Sequence, residues 1–283
     1  MNLLQETKYI MDKYDVHPNK RLGQNFLFDE NALNQIAENV TKEDTIIEIG
    51  PGLGTLTAIL AEKAKKVIAI ELDPKMYNII KERFIAYNNI EIINEDVLKV
   101  DISKVNLKQL ISQEKTTSNI NNVKVVANLP YYITTSIITN LLKTDIQDIT
   151  ILIQKEVAQR ICAMPGDKEA GAITYFVNYY ADAHIIGNVS KESFIPNPEV
   201  ESSIVNIQKL DKPRVQVKDE KLFFEIIKTN FTKRRKTILN SLSTIANKNE
   251  LEQILTKLGI SLNERGENLS LEQYAEIANA LSR

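Results

Sequence analysis

Three of the chain's nine glycines fall within five residues, in Glu48-Ile-Gly50-Pro-Gly52-Leu-Gly54. Such a loop lets a ligand approach bare backbone, and where it opens a helix it aims free N–H groups at a negative group. A tight turn alone needs one glycine, not three. The spacing excludes two common ligands. A dinucleotide loop requires Gly-x-Gly-x-x-Gly, yet Thr55 and Thr57 occupy the positions that would complete it, and no Gly-Lys-Ser/Thr ending marks a P-loop. Two carboxylates follow, Glu71, 21 residues after Gly50, and then Asp96. Ionised, each is an acceptor only. Further on, Asn128-Leu129-Pro130-Tyr131 combines a side-chain amide, a stiffened turn and an aromatic face.

These residues need elements to hold them. Thr45–Ile49, Val67–Ile70, Ile90–Ile93, Val123–Ala127 and Ile149–Ile153 are short, β-branched runs that read as buried strands. Between them, 55–64, 74–87 and 134–142 carry helical periodicity, with Pro74 suited to a first turn. Strands alternating with helices imply a doubly wound α/β sheet, and ligands of such sheets bind at the carboxyl ends of the strands. Glu71, Asp96 and Asn128 are all expected there. Residues 112–122 read as a polar surface loop; 172–180, 183–189 and 203–209 read as a helix and two strands finishing the sheet. A linker is expected at Asp211–Arg214. Beyond it, helices are expected over 220–231, 235–246, 250–258 and 271–281, the last opened by a capping box of Ser270 and Gln273.

Glu-x-Gly-x-Gly-x-Gly resembles the cofactor loop of S-adenosylmethionine-dependent methyltransferases, which makes Glu48, Gly50, Gly52 and Gly54 cofactor candidates. Glu71 is then placed for the ribose hydroxyls and Asp96 for the adenine amine. Asn128-Leu129-Pro130-Tyr131 resembles the motif of methyltransferases acting on exocyclic amines of adenine. Such an amine is a poor nucleophile because its lone pair is delocalised into the ring. The Asn128 side-chain oxygen and the Leu129 carbonyl could hold its hydrogens and favour the pyramidal amine. Pro130 stiffens the turn, and Tyr131 offers a face for the base and for developing positive charge.

With Lys20-Arg-Leu-Gly-Gln24-Asn25-Phe-Leu27, Phe194-Ile-Pro196-Asn-Pro198-Glu-Val200, Phe231-Thr-Lys-Arg-Arg235-Lys236-Thr and Arg265-Gly-Glu267-Asn-Leu269-Ser270, the chain resembles the bacterial small-subunit ribosomal RNA adenine dimethyltransferases and their Erm relatives. The likeness runs from about residue 8 to the end. It implies an S-adenosylmethionine cofactor and, as substrate, two adjacent adenosines in the hairpin loop near the 3′ end of 16S rRNA in the 30S particle, with a role in small-subunit biogenesis. It implies that Asn25 and Leu27 contact the methionine side of the cofactor, Gly50 its amino-acid end, and that Asn128 lies beside the transferring methyl. Phe194 would be a second aromatic against the adenine, although its own context reads as core. The fold class is then α/β: a Rossmann-like, S-adenosylmethionine-dependent methyltransferase domain over 1–210 with a small all-helical domain over 211–283, expected to contact rRNA.

Hydrophobic residues at 43% and charged residues at 25% are ordinary for a globular protein, which excludes a fibrous or disordered chain. No run approaches a membrane span, and the charged N-terminal stretch lacks a signal peptide's apolar core. The expectation is a cytoplasmic monomer with no membrane partner. One cysteine and two histidines supply no metal site; Cys162 reads as a small buried residue, and His17 and His184 receive no role. Net charge is −2, but residues 211–283 carry a surplus of three positive charges. Lys20 and Arg21, with Lys233, Arg234, Arg235 and Lys236, are the RNA-binding candidates. Two alternatives stay open: an Erm-type enzyme acting on 23S rRNA, and a ribosome-assembly factor whose catalysis is not essential.

Overall fold

The computed structural model describes residues 2–100, 102 and 122–282; positions 112–121 of the expected polar loop lie outside them. The chain divides into two compact units, Met1–Ala158 with His184–Lys209, and Gln159–Ala183 with Leu210–Arg283. In chain order the helices are α1 (Leu3–Lys13), α2 (Glu30–Ile36), α3 (Thr55–Lys63), α4 (Pro74–Arg83), α5 (Thr134–Leu141), α6 (Lys155–Cys162), α7 (Ala172–Tyr180), α8 (Glu220–Thr232), α9 (Ile238–Leu242), α10 (Lys248–Lys257) and α11 (Leu271–Leu281). The strands are β1 (Phe26–Leu27), β2 (Thr45–Ile49), β3 (Lys66–Glu71), β4 (Ile90–Asn94), β5 (Val123–Asn128), β6 (Asp148–Gln154), β7 (Ala181–Val189), β8 (Phe194–Ile195) and β9 (Ser202–Lys209). Among the described residues no helix is long and apolar enough to cross a membrane.

The first unit is built on a sheet of order β4-β3-β2-β5-β6-β9-β7. Pairing is parallel from β4 through β6, and β9 runs antiparallel to β6. The chain winds outward from β2 through β3 to β4, then returns to start again at β5 on the other side of β2. That reversal opens a crevice at the carboxyl ends of β2 and β5, the place where open α/β sheets bind ligands. Every residue of β2 is buried, as its uninterrupted β-branched composition requires of a central parallel strand. Leu33 and Ile36 of α2 and Leu56 and Leu60 of α3 pack with Ile46, Val67 and Val126 of the sheet. Asp73 caps α4 by accepting from the Lys75 amide, with Pro74 in the first turn.

The N-terminal segment had no structural assignment from the sequence. Asn2 and Gln5 form a capping box that starts α1. Glu6 pairs with Arg83 at 2.7 Å and Lys13 with Glu82 at 3.1 Å, fastening α1 to α4. The connection from α1 leads to β1, which pairs antiparallel with β8, Leu27 opposite Phe194.

The second unit differs from the expected division at 210–211, because residues 159–183 belong with the helical part. The cause is aromatic packing. Tyr175 of α7 lies 5.3 Å from Phe231 of α8 and 5.2 Å from Tyr274 of α11, ring centre to ring centre, and Phe176 lies 4.8 Å from Phe224. The Tyr180 and Tyr179 hydroxyls donate to the Glu220 carboxylate at 2.5 and 3.2 Å. Nor is 211–214 a free linker: the Arg214 amide donates to the Tyr179 carbonyl at 2.9 Å and its guanidinium reaches Asp182 at 2.6 Å. The expected helix over 235–246 is shorter as well. Thr237 is its cap, so α9 covers only Ile238–Leu242, and Lys233–Lys236 form the turn before it.

Candidate active site

The crevice is a cleft enclosing about 1030 Å³ of empty space, open solvent included. The glycine loop forms its floor. Gly50, Gly52 and Gly54 all have positive φ, at 68°, 56° and 83°, a region that L side chains avoid. At two of them space is short too. A Cβ on Gly52 would stand 3.2 Å from the Phe26 ring, and one on Gly54 2.5 Å from Phe84. Gly52 therefore lets β1 close over the loop, whereas Gly54 starts α3 against Phe84 and does not line the cleft.

Glu71 ends β3 with only 6% of its surface exposed. Its two oxygens accept from the Gly52 amide at 3.1 Å and the Asp73 amide at 2.8 Å. Burial pushes its carboxyl pKa up, and these two amides pull it part of the way back. Asp73 in turn accepts from the Gln24 side chain at 2.8 Å. A hydrogen-bonded path thus runs from the N-terminal segment through Asp73 and Glu71 to the glycine loop. Gln24 and Asp73 were not singled out for chemistry by the sequence, since the contacts they make lie 49 residues apart.

Glu48 is buried beneath the cleft, and burial, reinforced by the charge of Glu71, pushes its carboxyl up to about 8. Thr57 faces it and offsets part of that shift, yet neither Glu48 Oε2 nor Thr57 Oγ1 reaches hydrogen-bonding geometry with a partner. The unfolded chain releases this proton near the ordinary 4.5 and the folded chain near 8. Its contribution to stability is therefore full below the unfolded value and is lost as pH rises through that window. Glu48→Gln is expected to gain in unfolding temperature relative to the parent between about pH 5 and about pH 8. Thermal melts across that range check it, and a constant gap would refute the buried neutral acid.

On the other side of the crevice, Asn128 ends β5. Its amide nitrogen reaches the Asn25 carbonyl at 3.5 Å, and Oδ1 has no protein partner among the described residues. The Leu129 amide donates to the Leu152 carbonyl at 3.0 Å, which fixes the Asn128–Leu129 peptide just ahead of the Leu129 oxygen. The Pro130 carbonyl accepts from the Thr134 hydroxyl at 3.0 Å, closing the turn into α5. The half-buried Tyr131 ring is anchored by its hydroxyl, 2.7 Å from Ser202 Oγ at the start of β9. Nothing in the sequence around Ser202 signals that contact, which spans 71 residues.

The charge of the cleft is one-sided. Glu48, Glu71, Glu95 and Asp96 line it, and no Lys, Arg or His does among the described residues. Such a site repels a pyrophosphate and suits a cation bearing hydroxyls and amines. A family model for "Ribosomal RNA adenine dimethylase" matches residues 16–283. The chain belongs to that family. It is 45% identical over 280 residues to the ribosomal RNA small subunit methyltransferase A of Clostridium botulinum (strain Kyoto / Type A2), covering 97% of this chain and 98% of the relative. A crystal structure of a dimethyladenosine transferase from Plasmodium falciparum superposes with a TM-score of 0.71 at 25% identity, over 89% of this chain and 95% of that one. The 23S rRNA methyltransferase ErmE shares the fold, with a TM-score of 0.66 at 23% identity over 92% of this chain and all of that one.

Of the site residues expected from the adenine dimethylase likeness, Asn25, Leu27, Glu48, Gly50, Gly52, Glu71, Asp96 and Asn128 line one cleft, as do Leu129, Pro130 and Tyr131. Phe194 is the correction. It has no exposed surface, packs with Leu27, Leu33, Ile36 and Leu152, and does not line the cleft. Its pairing with Leu27 across the two-stranded β1–β8 sheet keeps it inside the core. Cys162, expected to be buried, is half-buried, and that partial burial pushes its thiol up to about 11, away from the reactive thiolate.

The basic cluster splits by environment. Lys233 donates to Thr244 at 3.1 Å, and Arg234 pairs with Glu267 at 3.2 Å and donates to the Ala170 carbonyl at 3.3 Å. Arg235 and Lys236 are exposed and have no side-chain partner among the described residues. Arg21 is exposed in the short turn before the cleft-lining Gly23.

Proposed function

We propose that this protein transfers methyl groups from S-adenosylmethionine to the exocyclic amines of two adjacent adenosines in the hairpin loop near the 3′ end of 16S rRNA in the small ribosomal subunit, and that it serves biogenesis of that subunit. The observation that carries the reading is the meeting of two motifs in one cleft. The glycine loop, Glu71 and Asp96 lie on one side of the β2/β5 reversal and Asn128 on the other.

The residues fit the cofactor. Its ammonium and sulfonium charges suit a cleft lined by the carboxylates of Glu71, Glu95 and Asp96 without bases, and the buried Glu48 Oε2 has no protein partner among the described residues. Glu71 would hold the ribose hydroxyls, Asp96 the adenine amine, and Asn25, Leu27 and Gly50 the methionine end. When bound, the cofactor supplies an electrophilic methyl on sulfur. The chain's own work is positioning. Asn128 Oδ1 and the Leu129 carbonyl hold the hydrogens of the target amine, turning its lone pair out of conjugation. Tyr131, held by Ser202, offers its face to the base and to positive charge developing on the attacking nitrogen. All of these groups come from one chain, so the reading needs no second copy, and a cytoplasmic location accords with a ribosomal substrate.

The test is to incubate the protein and labelled cofactor separately with unmethylated 30S particles and with 23S rRNA, then map the label. Label on two neighbouring adenosines of 16S rRNA is expected. Label on 23S rRNA would favour an Erm-type activity, and none on either would favour an assembly factor without catalysis.

Arg235 and Lys236, with Lys20 and Arg21, are the proposed phosphate contacts. Changing Arg235 and Lys236 together to Gln is expected to lower the slope of log affinity against log salt by about 1.4 to 1.8, at roughly 0.7 to 0.9 per contact. The same change at Lys233 and Arg234 should lower the unfolding temperature more than the slope. Filter binding to 30S particles at several salt concentrations reads the slopes and thermal melts the unfolding temperatures, and an unchanged slope would leave Arg235 and Lys236 as solvated surface.

A further inference from the structure

Tyr132 follows the target-base motif and is the one aromatic of the cleft without a partner among the described residues. The residue is 53% exposed yet lines the cleft, its ring makes no ring–ring contact, and its hydroxyl makes no hydrogen bond among the described residues. It lies beside Gly23 of the N-terminal segment, where a Cβ would stand 3.5 Å from its ring. The residue after Gly23, Gln24, donates to Asp73, whose amide is held by Glu71, and Tyr132, Glu71 and Asp96 line the same cleft. Partial burial first, and then the charges of Asp96 and Glu71, raise the Tyr132 hydroxyl pKa. Leu72 and Val97, the neighbours of those two acids in the chain, line the cleft as well. An exposed aromatic ring in one cleft with acceptors for a ribose and an adenine amine has one obvious complement, the flat face of a purine.

We propose that Tyr132 is a further cofactor-binding residue, whose ring covers the adenosyl group on the open side of the cleft while Glu71 and Asp96 hold its polar edges. The inference rests on the cofactor reading above. Its consequence is asymmetric: the ring retains the adenosyl moiety common to the cofactor and the demethylated product, and takes no part in methyl transfer itself. Tyr131, its neighbour, faces the substrate, so two consecutive tyrosines serve the two reacting molecules.

Titration calorimetry with S-adenosylhomocysteine on the full-length protein, Tyr132→Ala and Tyr132→Phe tests this, with filter binding to 30S particles run alongside. Because the ring is half exposed, both variants should melt as the parent does. Tyr132→Ala is expected to bind S-adenosylhomocysteine about tenfold more weakly, the order found for losing a base–aromatic stack, while Tyr132→Phe stays within about twofold and particle binding is unchanged. Equal losses in the Phe and Ala variants would overturn stacking in favour of the hydroxyl. Unchanged S-adenosylhomocysteine affinity in Tyr132→Ala, with weaker particle binding, would overturn the proposal and move the ring to the RNA. A parent protein that does not bind S-adenosylhomocysteine would overturn the cofactor reading first and this inference with it.

Discussion

Replacing Asn128 by alanine is expected to lower the single-turnover rate of methyl transfer by about 10² to 10³-fold, the range for removing one preorganised polar group aimed at a transition state. RNA affinity should fall by less than about threefold, because a hydrogen bond that strengthens as the amine pyramidalises contributes to the rate and little to ground-state binding. The geometry supports that separation. Asn128 ends a strand paired with both neighbours, so its backbone does not depend on its side chain, and Oδ1 is free of protein partners among the described residues. Only the bond to the Asn25 carbonyl, at the 3.5 Å limit, is lost within the protein. Asn128→Asp keeps an acceptor of the same shape and should retain more activity than alanine. Single-turnover rates at saturating cofactor and RNA, with filter binding on the same variants, decide the matter; a near-parental rate in Asn128→Ala would end the proposed mechanism.

The glycine-loop side of this cleft was legible as structure because its signals are local. Glycine spacing, a β-branched run and an acid at its end are all read within about ten residues, and the sheet returned those runs as strands to within a residue or two at each end. Phe194 owed its substrate role to the family likeness alone; its own context reads as core, and its pairing with Leu27, 167 positions away, keeps it there. What the sequence hid is what long-range packing decides. The aromatic side of α7 reads as the end of a sheet domain, yet its rings find partners in α8 and α11, carrying residues 159–183 into the other unit. In the Lys233–Lys236 cluster, charge suggested four equivalent contacts. Only the structure shows that Glu267 and Thr244 already engage two of them. The helix expected to start at Arg235 failed on a local rule that outweighed periodicity, the preference of Thr237 for a cap position.

Glu71→Ala is expected to weaken S-adenosylmethionine binding by roughly a hundredfold or more, since two hydroxyl bonds to a charged acceptor contribute roughly 1.5 to 3 kcal/mol each. A second loss accompanies the first. The same carboxylate holds the amides of Gly52 and Asp73, so alanine also frees the glycine loop and the Asp73 end of the path from Gln24. Glu71→Gln separates charge from shape. One of its two positions becomes an N–H donor facing a backbone N–H, so an isosteric side chain should still fail to hold both amides. If Glu71 acted only as a distant negative charge, Gln and Ala would weaken binding equally and leave the unfolding temperature alone. If it is the latch the hydrogen bonds describe, Gln should also lower the unfolding temperature. The sign of the pH effect follows from its raised pKa: protonation removes acceptor capacity, so affinity should fall as pH drops through the carboxyl's titration and hold steady above it. Calorimetric titration of the parent and both variants across the acid range measures the affinities and thermal melts the unfolding temperatures, and parental affinity in Glu71→Ala would remove Glu71 from the cofactor site.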